Sequence, residues 1–65
     1  MEIKIKQIRE AKGILQKDLC EMADVSKPKL IGLETGRFDN PTIQTLKRIA
    51  NALGVKVTDI IDFDD

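Results

Sequence analysis

Two lysines at the start of a predicted helix carry the clearest suggestion of binding chemistry in this sequence. Lys27 and Lys29 follow Ser26, whose hydroxyl is suited to cap a helix that runs from residue 27 to about Thr35. Cations at a helix N-terminus oppose the helix dipole, so we expect an anion to compensate them. A lysine ammonium can donate to a phosphate oxygen or to O6 and N7 of a guanine. The alternative is a helix start that is simply solvated.

Groups for catalysis or metal binding are scarce. The chain has no histidine and one cysteine, Cys20, so it can form neither an intramolecular disulfide nor the familiar zinc-ligand spacings. Cys20 lies beside an apolar helical stripe and is expected to be a buried, small hydrophobic residue. No glycine-rich phosphate loop follows a strand. We therefore expect no enzyme activity, no metal and no cofactor.

Length and composition predict one small globular domain over residues 1–65, because 65 residues supply a single core. Eleven basic residues balance eleven acidic ones, yet all the basic residues lie between Lys4 and Lys56, and four acids lie in the tail at 59–65. A basic body with an acidic tail fits a nucleic-acid binder or a solvated surface. No apolar stretch could span a membrane or serve as a signal peptide, so we expect a cytoplasmic protein.

Apolar spacing predicts an all-α fold of five short helices and no convincing strand. The predicted helices are residues 3–11 before Gly13, 16–23, 27–35 before Gly36, a fourth capped by Thr42 and closed by Gly54, and a last turn capped by Thr58. The stripes expected to face the core are Ile5, Ile8, Ala11, Leu19, Met22, Ala23, Leu30, Leu33, Ile43, Leu46, Ile49, Ala50 and Leu53. Leu15 is a poor N-cap for the second helix, and Asp24 must accept a left-handed turn.

The second and third helices, residues 16–35, are joined by only about three residues. Two short helices so closely joined cross steeply, so one can lie across a phosphate backbone while the other enters the major groove. The segments 8–13, 16–19, 25–27, 34–37, 40–42 and 49–55, in this order and spacing, resemble the phage repressor and Cro type of helix-turn-helix domain, the XRE family. The resemblance covers residues 9–61. It implies a lambda-repressor-like fold that binds double-stranded DNA.

The same resemblance implies roles for individual residues. The candidates for phosphate contacts are Gln16, Arg37, Asn40 and Thr42, which match family positions, together with Lys17 and Lys29, which are added for their charge. The candidates for base contacts, expected to be exposed on the third helix, are Lys27, Pro28, Ile31 and Gly32. Pro28 and Gly32 have no side-chain hydrogen-bonding groups, so direct readout should be sparse. Specificity would then come from Lys27, from methyl contacts by Ile31 and from DNA shape, or this surface serves another purpose.

Two further groups follow from the resemblance. Arg9 and Glu34 match a pair that bridges the first helix to the end of the third, which predicts a structural ion pair. Ile60, Ile61 and Phe63 form either the last core layer or a dimer seam, since such domains bind paired half-sites as homodimers.

Two classes of function compete at this point. The first is a small, sequence-specific transcriptional regulator, expected to be a repressor, that inserts the helix at 27–35 into the major groove. The second is a protein-interaction module on the same scaffold, such as an antitoxin-like or bridging partner. The zero net charge favours the second.

Overall fold

The computed structural model describes residues 2–37 and 41–62, and these residues contain five helices and one pair of very short strands. The elements are β1 (Glu2–Ile3), α1 (Ile5–Ala11), α2 (Gln16–Ala23), α3 (Lys27–Thr35), α4 (Ile43–Leu53), α5 (Val57–Ile60) and β2 (Ile61–Asp62). The predicted all-α fold is confirmed, and α2 and α3 have the predicted bounds. Both are delimited by local signals, such as the Ser26 cap and the glycine after Thr35.

The two ends of the chain pair with each other, which the sequence did not predict. Ile3 lies opposite Ile61 in an antiparallel ladder, and Lys4 N donates to Ile60 O across 2.7 Å. Helix α1 therefore begins at Ile5 rather than at residue 3. Apolar spacing reports local periodicity only, so it cannot show a strand whose partner lies at the other end of the chain.

Helix α5 begins before the predicted cap. Thr58 lies inside this helix, and the N-cap position is Lys56. The Lys56 backbone N–H donates to Asp59 Oδ2 across 2.9 Å, so a carboxylate three residues into the helix binds the free amide. The prediction of a Thr58 cap is wrong for this reason.

The core joins all five helices through the residues Ile5, Leu19, Ala23, Leu30, Leu33, Leu46, Ile49, Ala50, Leu53, Ile60 and Ile61. Ile60 and Ile61 have exposed fractions of 0% and 3%. They are therefore the last core layer and cannot form a dimer seam. Phe63, the third dimer candidate, lies outside the described residues.

Three residues predicted to face the core lie on the surface instead. Ala11, Met22 and Ile43 are exposed. In α1 the buried side passes through Ile5 and Arg9, one helical turn apart, because Arg9 has a buried partner. The spacing of apolar residues alone predicted a buried side that runs through Ala11 instead.

Cys20 is half-buried rather than fully buried. This partial burial raises the pKa of its thiol, with the nearby Lys27 acting in the opposite direction.

Candidate nucleic-acid interface

Asp24, Val25 and Ser26 connect α2 to α3, and a local signal marks each end of this turn. Asp24 adopts the left-handed conformation, with φ 55° and ψ 50°, as the sequence predicted. It is the only residue other than glycine with a positive φ in the described part of the chain. Ser26 Oγ accepts a hydrogen bond from Lys29 N at 3.4 Å, so the predicted cap is present. Pro28 lies in the first turn of α3, where its missing N–H removes no helical hydrogen bond.

The buried face of α3 determines which residues face outward. Leu30 and Leu33 pack in the core, which leaves Lys27, Lys29 and Ile31 exposed. The first turn of α3 contains no acidic residue. Every exposed charged side chain of this helix is therefore a lysine.

Gly32 corrects the predicted exposed set, because it is buried. Pro28, Ile31 and Thr35 line a groove together with Gly32 and with Arg37, which follows the helix. Glycine has no side chain to extend towards solvent, so its backbone lies below the side chains around it. Gly32 thus contributes the floor of a groove rather than a projecting contact.

The single acid of α3, Glu34, is held in an ion pair with Arg9. Arg9 Nε donates to Glu34 Oε2 across 2.7 Å, and Arg9 Nη2 donates to Glu34 Oε1 across 3.2 Å. The side chains of Arg9 and Glu34 have exposed fractions of 9% and 2%. Arg9 Nη1 also donates to the carbonyl of Ile14 at 2.8 Å. This two-pronged contact joins α1 to the end of α3.

Hydrogen bonding to Glu34 raises the pKa of the Arg9 guanidinium above its ordinary high value, although burial acts in the opposite direction. Arginine is protonated throughout the ordinary pH range, so Arg9 stays charged beside Glu34. The negative charge of Glu34 is matched within the fold and does not oppose an anion at the outer face of α3.

Gln16 belongs to the same network. Its Nε2 donates to Glu34 Oε1 across 2.9 Å, so the side chain is fixed against the end of α3. A primary amide has two N–H donors, and Glu34 takes one of them. Leu15 supplies no side-chain cap for α2, as predicted, so the free backbone amides of this helix start lie beside Gln16 without one.

The other phosphate-contact candidates differ in their availability. Lys17, Lys29 and Arg37 are exposed. Thr42 is exposed as a residue, but its hydroxyl caps α4: it accepts from Thr45 N at 3.1 Å and donates to Thr45 Oγ1 at 2.9 Å. Asn40 lies outside the described residues.

One residue of this surface was missed by the sequence analysis. Thr35 lines the groove, and its hydroxyl donates to the carbonyl of Ile31 at 2.8 Å. The signal was present, since Thr35 stands seven residues after Pro28 and four after Ile31, on one side of a helix.

The described residues form neither a candidate metal site nor a candidate membrane span. Residues 2–37 and 41–62 contain no cluster of three or more acidic, cysteine or histidine side chains that could hold a metal ion. No helix among the described residues has the length and apolar character needed to cross a bilayer.

The fold and its short turn have counterparts among known proteins. A family model described as "Helix-turn-helix" matches residues 5–60. The chain belongs to the XRE-type helix-turn-helix family. This helix-turn-helix chain is 34% identical, over 65 residues, to the uncharacterized transcriptional regulator MJ0272 of Methanocaldococcus jannaschii, and the match covers 100% of the chain and 97% of that protein. It is 38% identical to the immunity repressor protein of Bacillus phage phi105, over 89% of the chain and 40% of the repressor.

A solved structure is also similar to this helix-turn-helix chain. The structure of SinR, a master regulator of biofilm formation, in complex with DNA matches with a TM-score of 0.84 and 38% identity. The match covers 89% of this chain and 92% of that one. The lambda-repressor-like fold is thereby shown. The chain spans about half the length of the bacterial and phage relatives that it matches.

Proposed function

We propose that this chain binds double-stranded DNA in a sequence-specific manner and regulates transcription, as a repressor, by inserting α3 into the major groove. The observation that carries the proposal is the charge of α3: its exposed charged side chains, Lys27 and Lys29, are both cationic, and its acid is buried against Arg9. An α-helix with its side chains fits the width of the B-DNA major groove. The likeness to SinR solved with DNA supports this placement of the helix.

Base and phosphate contacts would come from different sides of the motif. Lys27, at the start of α3, would donate to O6 and N7 of guanine, while Pro28, Ile31 and the Gly32 backbone would lie against base edges. Arg37 follows the helix and is exposed, so it can reach a phosphate at the far edge of the groove.

The network around Glu34 would position the other phosphate contacts. Gln16 is fixed by Glu34, and its second N–H, together with the α2 backbone amides, would meet one phosphate. Lys17 and Lys29 would neutralise neighbouring phosphates. The Thr42 hydroxyl caps α4, so Thr42 would contact a phosphate through its backbone. Asn40, which lies outside the described residues, would supply a further phosphate contact.

The proposal includes a homodimer that binds a short pseudo-palindrome. Two copies of α3 would lie about 34 Å apart, one turn of DNA, on one side of the duplex. Ile60 and Ile61 are taken up by the core of each subunit, so the dimer contact must use other residues. A regulator of bacterial or archaeal type would meet its DNA in the cytoplasm. No catalytic step is assigned to the chain.

One observation favours a second function, binding of a protein partner to α3. The groove lined by Pro28, Ile31 and Gly32 is apolar, and an apolar groove can hold a partner's side chain. Substituting the two lysines of α3 would leave such a partner bound, whereas it would abolish binding to DNA.

Selection of bound duplexes from a random pool tests the proposed function. We expect enrichment of a pseudo-palindromic sequence. If about four phosphates are neutralised per subunit, the logarithm of the affinity falls against the logarithm of salt concentration with a slope of about −3.5 per subunit. A pool without enrichment and an affinity that ignores salt would contradict the proposal.

A further inference from the structure

The outer side of α4 carries positive charge that the proposed contacts with DNA do not use. The opposite side of this helix is buried in the core. The exposed residues on the outer side recur at intervals of three and four positions, so they form one continuous surface. This surface, the α4 face, consists of Gln44, Lys47, Arg48 and Asn51.

The two cations of the α4 face have no acidic neighbour on their own helix. The segment Ile43–Leu53 contains neither aspartate nor glutamate. Within residues 2–37 and 41–62, Lys47 and Arg48 form no ion pair. Arg9, in contrast, is matched by a buried carboxylate. The positive charge of the α4 face is therefore not neutralised by any residue in those two ranges.

The α4 face is separate from the surface that would enter the major groove. Helix α2 packs against both α3 and α4, whereas α3 and α4 share few contacts. Because α2 lies between them, the outer sides of α3 and α4 point away from the core in different directions. A duplex that is held by α3 would therefore leave the α4 face open to solvent.

The residue types of the α4 face favour a nucleic-acid backbone over a protein surface. Lysine and arginine bind phosphate by charge, and the side-chain amides of glutamine and asparagine donate to phosphate oxygens. A stable protein interface has an apolar core, and the four residues of this face supply none. The face is about 10 Å long. A duplex carries about six phosphate charges over that length, so several can meet the two cations.

The same charges argue against α4 as the centre of a homodimer contact. A two-fold contact brings the same patch of both subunits together. Lys47 and Arg48 would then meet their own counterparts, and like charges across an interface are unfavourable. The α4 face therefore stays open in a dimer that is built on another surface.

We propose that the α4 face binds the phosphate backbone of a second DNA duplex, independently of its sequence, while α3 holds the first. The chain thereby bridges two duplexes, or two distant segments of one DNA molecule. Bridging rests on the proposed function, since it assumes that α3 occupies the first duplex. It adds a second binding site that repression at a single operator does not require.

The test measures the capture of one duplex by another. The duplex selected from a random pool is fixed to beads, the full chain is bound to it, and a fluorescent duplex of unrelated sequence is added. We expect the fluorescent duplex to be retained at low salt and released as the salt concentration rises, because the contact is electrostatic.

Charge reversal on the α4 face should separate the two sites. With Lys47→Glu combined with Arg48→Glu, retention of the fluorescent duplex should fall to the background measured without protein. At physiological salt, exposed charges are screened beyond about 8 Å, so affinity for the selected duplex should stay within about threefold of the parent value. Thermal unfolding verifies that the variant is folded.

A matched control reverses two other exposed cations. Lys6→Glu combined with Lys12→Glu changes the net charge by the same amount, at α1 and the residue after it. This variant should still retain the fluorescent duplex. Loss of retention in both double variants would mean that net charge, rather than the α4 face, holds the second duplex, and would overturn the inference.

The outcomes separate the inference from the function beneath it. Loss of retention in the α4 variant alone supports the inference. Retention that persists in the α4 variant would mean that each subunit of a dimer holds one duplex through α3, and it overturns the inference. No retention by the parent protein, or a loss of affinity for the selected duplex as large as that caused by reversing Lys27 and Lys29, also overturns it while the proposed function stands. A pool without any enriched duplex overturns the proposed function and bridging with it.

Discussion

Arg9 and Glu34 form a two-pronged ion pair that ties the first helix to the last turn of α3, with Arg9 Nε 2.7 Å from Glu34 Oε2. Glu34 also accepts from Gln16, so one carboxylate connects three helices. The face of α3 that would meet DNA is thus held by a buried polar contact at its end.

Removing the carboxylate at this junction should destabilise the fold. Glu34→Ala leaves the Arg9 guanidinium buried without its partner, which costs about 3–5 kcal/mol of unfolding free energy. Urea denaturation measures this loss. If Glu34→Ala is too unstable to fold, Glu34→Gln, which keeps one hydrogen-bond acceptor, should still unfold at a clearly lower urea concentration than the parent protein.

The control for that experiment is the exposed pair formed by Lys4 and Asp62. Their side chains are 43% and 55% exposed, with Lys4 Nζ 3.9 Å from Asp62 Oδ2. Lys4→Ala should change stability by less than about 1 kcal/mol. Equal losses for Lys4→Ala and Glu34→Ala would show that the buried Arg9–Glu34 pair stabilises the fold no more than an exposed pair does.

The backbone of Asp24 makes a second stability prediction. Its φ of 55° is strained for most L residues, and a β-branched side chain is especially disfavoured there. Asp24→Val should lower the unfolding free energy by about 1–2 kcal/mol, whereas Asp24→Gly should not lower it. Urea denaturation of both variants measures these changes in unfolding free energy. An Asp24→Val protein as stable as the parent would contradict the claim that the backbone of this turn is strained.

Charge reversal on α3 should abolish binding without unfolding the protein. Lys27→Glu combined with Lys29→Glu replaces two cations of the proposed interface by anions, so binding to the selected duplex should fall below detection. The matched control reverses Lys6 and Lys56, which are also exposed lysines but lie outside α2 and α3. Similar losses for both pairs would mean that net charge, rather than this surface, governs the affinity.

The thiol of Cys20 makes a prediction about pH. Burial raises the pKa of the Cys20 thiol. The thiolate that reacts with iodoacetamide therefore forms at a higher pH than in a free cysteine, whose pKa is about 8.5. The alkylation rate of the folded protein should therefore have its midpoint above that value, and unfolding in urea should restore the ordinary midpoint. A folded-state midpoint at or below that of the unfolded chain would contradict the burial of this side chain.

The raised pKa of the Cys20 thiol also determines how the stability of the protein changes with pH. A thiol whose pKa is higher in the folded state stabilises the fold fully below the unfolded-state pKa, and this contribution is lost as the pH rises through the folded-state pKa. Cys20→Ala should remove that alkaline loss.

The sequence predicted the helix-turn-helix well because its boundaries are set locally. Ser26 caps α3, and a left-handed residue ends both α2 and α3, at Asp24 and Gly36; these are signals that neighbouring residues provide. The strand pairing of Ile3 with Ile61 depends on residues at opposite ends of the chain, and no local pattern reports it.

The candidate site was predicted less completely, again for physical reasons. The family resemblance placed Gly32 on the outer side of α3, but the absence of a side chain lets its neighbours cover it. The bond from Gln16 to Glu34 could not be foreseen, because it depends on how α2 and α3 cross. Thr35 was overlooked although its helical position aligned it with Ile31.

Backbone amide shifts of the chain, measured by NMR while the selected duplex is added, test the central claim most directly. The account predicts that the largest changes occur at residues 27–32 and at the first turn of α2, around Gln16. Changes concentrated elsewhere, with residues 27–32 unaffected at saturation, would contradict it.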